Sequence, residues 1–147
     1  MNPPTVKIVS GFLADYGWNF KETSSGQIQS GWEGRDCDFP LQIRCYDSWV
    51  GFQVGLFPTL KIDWESWPEI SRFLLEWNDA SHMAKISIDP HGVIQLSIDV
   101  LACNINYDAF SHALSVLGHY SEAFYDDFLN FLDSIGFRYC ESLNILT

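Results

Sequence analysis

Four histidines, four cysteines and a surplus of carboxylates are the side chains that could bind a metal or move a proton. His112 and His119 stand two helical turns apart, about 10.5 Å along an axis, too far to share one ion. His82 and His91 fall in turn-rich segments, where a histidine is ordinarily solvated. Cys37, Cys45, Cys103 and Cys140 form no Cys-x-x-Cys pair, so they read as free thiols. Cys103 precedes a helix, whose dipole can lower a thiol's pKa, but a lone cysteine after an apolar strand reads as a small buried hydrophobe. Asp36-Cys-Asp38 has the form that holds a divalent cation with a phosphate, yet no glycine-rich phosphate loop accompanies it, and a turn is the simpler reading. Glu122, Asp126, Asp127 and Asp133 read as the solvated face of a helix. No Gly-x-Ser-x-Gly, His-Glu-x-x-His, Gly-x-Gly-x-x-Gly or P-loop pattern occurs. The expectation is no catalytic residue, no metal ligand and no cofactor. Constellations assembled from distant residues are invisible in a sequence, so a small-molecule or metal-dependent enzyme with an aromatic-lined pocket stays as the alternative.

The elements that would position any site follow from apolar periodicity. Pro3-Pro4 opens a first helix carrying Val6, Val9, Phe12, Leu13 and Tyr16, with Gly17 as a left-handed stop. From Trp18 to Phe57 the chain is strand-like. Thr23 to Gly26 is a loop and Gln27 to Arg35 a first strand. Asp36 to Pro40 is a connection, and Leu41 to Tyr46 pairs with Val50 to Leu56 as a hairpin. Ser66-Trp-Pro-Glu69 has capping-box spacing at the start of a second helix, whose stripe is Ile70, Phe73, Leu74 and Trp77. Lys85 to Asp89 and Ile94 to Val100 alternate apolar and polar around Pro90-His-Gly92, a hairpin with Gly92 at positive φ. Phe110 through Ile135 is one long helix ending near Gly136. Gly118 inside it either permits close backbone packing or marks a bend. The tail after Gly136 carries Tyr139, Leu143, Ile145 and Leu146 and is expected to pack.

This order, α-β-β-β-α-β-β-α, describes an α+β two-layer sandwich. Its antiparallel sheet carries all helices on one face, because each clear strand has one apolar and one polar side. The 147 residues read as a single domain, 1–147, with 47% hydrophobic and 16% aromatic residues to build a core. A net charge of −11, with basic residues scattered, disfavours nucleic acid and anionic membranes and favours basic partners. No apolar run reaches the roughly 18 residues a membrane span needs. Met1-Asn-Pro-Pro-Thr is not a charged leader before an apolar run, so the expected location is cytoplasmic.

Aromatic residues are the remaining signal. Trp64 and Trp67 lie off the stripe of Ile70, Phe73, Leu74 and Trp77, as does Leu75, so the second helix has apolar surface on more than one side. Such a helix commonly has a second partner. These six, Trp64, Trp67, Ile70, Phe73, Leu74 and Trp77, are the candidate dimer or partner interface. The plainer reading is an aromatic-rich monomer core.

Leu74-Leu-Glu-Trp-Asn78, Ala84-Lys-Ile-Ser-Ile-Asp-Pro-His-Gly-Val93 and the aromatic helix from Phe110 to Leu132 together resemble the YbjN-domain proteins of bacteria. The resemblance is clearest over residues 62–132. It implies a helix ending in Leu-Leu-x-x-Asn, a strand–Asp-x-x-Gly–strand hairpin and a long helix, in a fold like that of type III secretion chaperones. It also implies a small, acidic, non-enzymatic homodimer that holds another, unknown protein and takes part in sensory regulation. A sequence pI of about 4.4 fits that profile.

Overall fold

The computed structural model describes residues 3–23, 25–58 and 60–137. Helix α1 (Thr5–Tyr16) leads into strands β1 (Lys21–Thr23), β2 (Gln27–Glu33), β3 (Asp38–Cys45) and β4 (Trp49–Leu56). Helix α2 (Trp67–Ala80), strands β5 (Lys85–Ile88) and β6 (Ile94–Leu101), a short 3-10 turn (Ala102–Asn104) and helix α3 (Tyr107–Ser134) follow. The strands form one antiparallel sheet in the order β1-β2-β3-β4-β6-β5.

Alternation decides which face the helices cover. Leu41, Ile43, Val50, Phe52, Val54, Ile94, Leu96 and Ile98 are buried toward the helices. The other face carries Gln29, Gln42, Gln53 and Ser97 as one cross-strand row. α1 packs on β2, α3 crosses β4 and β6, and α2 lies along β5. The two-layer sandwich expected from the pattern is the one observed.

Helix ends follow local chemistry. Gly17 takes φ 85° at the end of α1 and Gly136 takes φ 80° just beyond α3, the left-handed geometry glycine adopts without a Cβ clash. Asn106 begins α3 by accepting a 2.8 Å hydrogen bond from the Ala109 amide.

Four expectations need correction, and one open choice narrows. The sheet has six strands among the described residues, because Lys21–Thr23 pairs with Gln27–Gln29. Those three residues carry no apolar alternation to announce a strand. Pro40 lies within β3 rather than in a connection; its ring nitrogen faces β4 beyond the last β3–β4 pair, Leu41–Val54, so no ladder bond is lost. Ser66 makes no side-chain cap, because its backbone is already helical. Cys103 is exposed, since the strand before it has ended and the 3-10 turn carries it outward. A Cβ on Gly118 would meet nothing within 4 Å, so close packing is not what that glycine serves. The predicted packing of the tail concerns residues 138–147, outside those described.

Candidate functional site

One end of the sheet gathers the start of α2, the turn between β5 and β6, and the end of α3. Asp89 organises the turn: its Oδ1 accepts hydrogen bonds from the amides of His91, at 2.8 Å, and Val93, at 2.9 Å. Gly92 takes φ 84°, as its place in the turn requires. Across from it, Asp63 Oδ1 accepts from the Ser66 amide at 2.8 Å, fixing the turn that leads into α2. That backbone bond holds the Asp63 carboxyl below its ordinary pKa.

Between these two turns runs a groove of about 400 Å³. Leu60, Ile62, Trp64, Trp67 and Ile88 give it an apolar lining, together with Lys61, Asp63 and His91. The three titratable groups do not converge; among the described residues no hydrogen bond or ion pair joins any two of them.

The six α2-region candidates divide. Ile70 and Leu74 are buried in the core. Phe73 stacks on Phe131 with centroids 4.4 Å apart and meets Phe128 at 5.7 Å. Trp77 stands edge-on to Phe124 at 5.1 Å and Tyr120 at 5.4 Å. The stripe thus seats α2 on α3 within the chain itself. Trp67 is half-buried at the groove, and Trp64 is 87% exposed. Leu75, at 69% exposure, lies on the outward side of α2.

Asn78 has a role that spacing did not reveal. Its side-chain amide donates to the Ile86 carbonyl at 3.0 Å and accepts from the Ile86 amide at 2.5 Å. One side chain thereby completes both backbone groups of a residue on the outer edge of β5, as a neighbouring strand would. The signal was present in the Leu-Leu-x-x-Asn motif, but its meaning depends on α2 lying beside β5.

The opposite end of the sheet carries a second set of exposed rings. Tyr46 and Trp49 stack with centroids 4.2 Å apart, and Trp49 pairs with Leu101 across β4 and β6. The Trp49 ring lies over the bare backbone of Gly51, where an added Cβ would come within 3.0 Å of Cζ3.

The acidic face of α3 is not simply solvated. Glu122 accepts the Arg35 backbone amide at 2.9 Å, and Asp126 holds the Arg35 guanidinium, so both pin the β2–β3 connection to the helix. The Asp126 contact, foremost, raises the Arg35 pKa further. Among the described residues no three His, Cys, Asp or Glu side chains are grouped to hold a metal. No helix among them is long and apolar enough to cross a membrane.

Known proteins fit this architecture. The structure of the ExsC–ExsE complex contains a chain that superposes with a TM-score of 0.63 at 12% identity, covering 86% of this chain and 96% of that one. YbjN from E. coli, described as "a putative transcription regulator", superposes with a TM-score of 0.60 at 15% identity, covering 84% and 90%. At such identities the likeness establishes the fold, which is the type III secretion chaperone-like α+β fold expected from the resemblance. No curated protein sequence matches the chain. The profile of the YbjN family, described as "Putative bacterial sensory transduction regulator", matches residues 5–130. With that match spanning most of its length, the chain belongs to the YbjN family.

Proposed function

We propose that this YbjN-family chain is a single-domain, non-enzymatic, protein-binding regulatory module that works as an acidic homodimer, with Trp64 and Trp67 at its contact surface. The exposure of Trp64 carries the reading. A tryptophan ring offers 150–250 Å² of mostly apolar area, and leaving it in water beside an apolar groove is a standing cost that a protein contact removes. Ile70, Phe73, Leu74 and Trp77 support the contact from within, by fixing α2 on α3 so that the groove keeps its shape.

Two further observations support it. The groove's charged groups are apart, and Asp63 is engaged with the Ser66 amide, so acid–base chemistry has no paired groups to use there. The fold is shared with a chain solved in complex with another protein, the ExsC–ExsE assembly.

Light scattering at micromolar concentration tests the homodimer: a dimer mass is expected, and a monomer mass ends that part of the reading. Trp64→Glu should weaken the dimer at least tenfold and leave the melting temperature of the dilute monomer unchanged, because the ring meets no other ring among the described residues. A substrate turned over by the purified chain would remove the non-enzymatic reading.

A further inference from the structure

We propose that the open face of the sheet carries a small-molecule site, a trough over Gly55 that takes a neutral, polyhydroxylated ligand of the size of a sugar ring. It lies on the face away from the helices and does not depend on the homodimer reading. Glycine weakens a strand, because it loses more backbone entropy than other residues and packs no side chain. Three glycines nevertheless face outward from the sheet: Gly31 in β2, and Gly51 and Gly55 in β4. Two of them have a cause within the chain. A Cβ on Gly31 would fall 2.8 Å from the Phe39 carbonyl oxygen, and one on Gly51 would press on the Trp49 ring at 3.0 Å. Gly55 has neither constraint. Its backbone is outside the left-handed region, and an added Cβ would make ordinary 3.9 Å contacts with Pro40 Cγ and Val93 Cγ1. The sheet thus has room for a side chain on one of its central strands and leaves it unfilled. Such a glycine marks a place where something else approaches the backbone closely.

The gap belongs to a trough of about 350 Å³, in the range of small-molecule pockets. Gln29, Gln42 and Gln53 stand side by side across β2, β3 and β4 and form one wall. Gln95 stands opposite Gly55 on β6, Pro40 and Val93 flank the glycine, and Asp89 adds a carboxylate. Most of this hydrogen-bonding capacity is unused within the chain. Gln42 donates to Gln27 at 2.7 Å and Gln95 donates to Ser87 at 3.2 Å. Gln29 and Gln53 make no side-chain hydrogen bond among the described residues. Asp89 uses Oδ1 for its turn, which leaves its other oxygen as an acceptor.

The chemistry of the walls selects the ligand. Each carboxamide is uncharged and presents an acceptor oxygen together with two donor hydrogens. A hydroxyl group donates and accepts through one atom, so a ring bearing several of them meets both halves of every amide. Pro40, Val93 and the bare backbone of Gly55 receive the C–H face that such a ring also has. Charge argues for a neutral molecule. An anion meets Asp89 and a chain of net charge −11, and a cation finds one carboxylate among four amides. An extended polypeptide gains its affinity from ladder bonds at a sheet edge. This trough crosses β2, β3, β4 and β6, each of which already has a neighbour on both sides.

Nuclear magnetic resonance of the side-chain amides in the full chain reads the site directly, with glucose, galactose, mannose and N-acetylglucosamine titrated in turn. At least one of these sugars should shift the amide signals of Gln29, Gln42, Gln53 and Gln95 saturably at millimolar concentration or below. Gly55→Val fills the trough with a residue that strands favour, in space that is already open. It should weaken that binding at least tenfold while the melting temperature holds or rises. Gln53→Leu removes an amide with no hydrogen bond to lose within the chain and should weaken binding several-fold. Should Gly55→Val melt lower or fail to fold, Gln53→Leu decides: unchanged sugar binding there overturns the site. No saturable shift with any of the four sugars overturns the proposal. Shifts that survive Gly55→Val place the sugar elsewhere and overturn it too. Adenosine shifting these amides where the sugars do not would assign the trough to a flat base, since glutamine pairs with the adenine edge, and would overturn the polyhydroxylated ligand.

Discussion

The two ends of the sheet both expose tryptophan, and for different reasons. At the β3–β4 tip, Trp49 is stacked by Tyr46, lies on Gly51 and is flanked by Leu101. Its exposed edge is what remains after it has been packed. At the α2 end, Trp64 makes no ring contact among the described residues and borders a groove that those residues leave open. Exposure alone therefore does not mark an interface. The informative quantity is how much of a ring's contact surface its own chain has already used.

The groove end stands on an aromatic layer, and removing that layer should have the largest effect. Phe128 is fully buried among Phe57, Phe73 and Phe124. Phe128→Ala should cost about 3–5 kcal/mol in denaturant unfolding; a loss under ~1 kcal/mol would mean that α2 is not held by these rings. Next is Asn78→Ala, which leaves the Ile86 amide and carbonyl unmet, at about 1–3 kcal/mol. Unchanged stability would show that water replaces Asn78 at the β5 edge.

Gly92→Val should cost about 1–2 kcal/mol through its positive φ alone, because an added Cβ meets nothing within 4 Å. An unaltered melting curve would remove the turn from the elements that shape the groove. Trp49→Ala and Trp64→Ala test the comparison itself. The first loses a stacked pair worth about 0.5–1.5 kcal/mol besides its buried area, and the second should stay within about 0.5 kcal/mol. Equal losses from the two would erase the distinction.

The smallest effect is electrostatic. The folded Asp63 carboxyl has a lowered pKa, so its contribution is fully present above the unfolded value, near pH 4, and is lost as pH falls through the folded value. Asp63→Asn should flatten the stability profile in that acid range and leave it unchanged at pH 7 apart from a constant offset. A profile with the same acid slope as the unaltered chain would assign that slope to other carboxylates.

Much of the fold was legible before any coordinates because its signals are local. Strict alternation at Leu41–Cys45, Val50–Leu56 and Ile94–Val100 can bury only one face of a strand, and Pro90-His-Gly92 can hardly be anything but a turn. The helical period through Phe110, Leu114, Leu117, Phe124 and Phe128 marks a single long helix in the same way. β1 escaped because a three-residue polar strand has no pattern; only the neighbouring β2 makes it one. The roles of Asn78, Glu122 and Asp126 escaped for a related reason, since each acts on backbone or side chains that the sequence places 8, 87 and 91 residues away.

Composition and periodicity determined which residues are apolar, where the chain turns and that no catalytic pattern is written along it. Which aromatic residues would remain in water was decided by tertiary structure alone. Ile70, Phe73, Leu74 and Trp77 look like an interface on an isolated helix, and α3 and the sheet cover them. Trp64 looks like one tryptophan among six, and no ring meets it among the described residues. Periodicity reports that a face is apolar, whereas the partner that covers it comes from elements distant in sequence, and only their packing can show which faces are already taken.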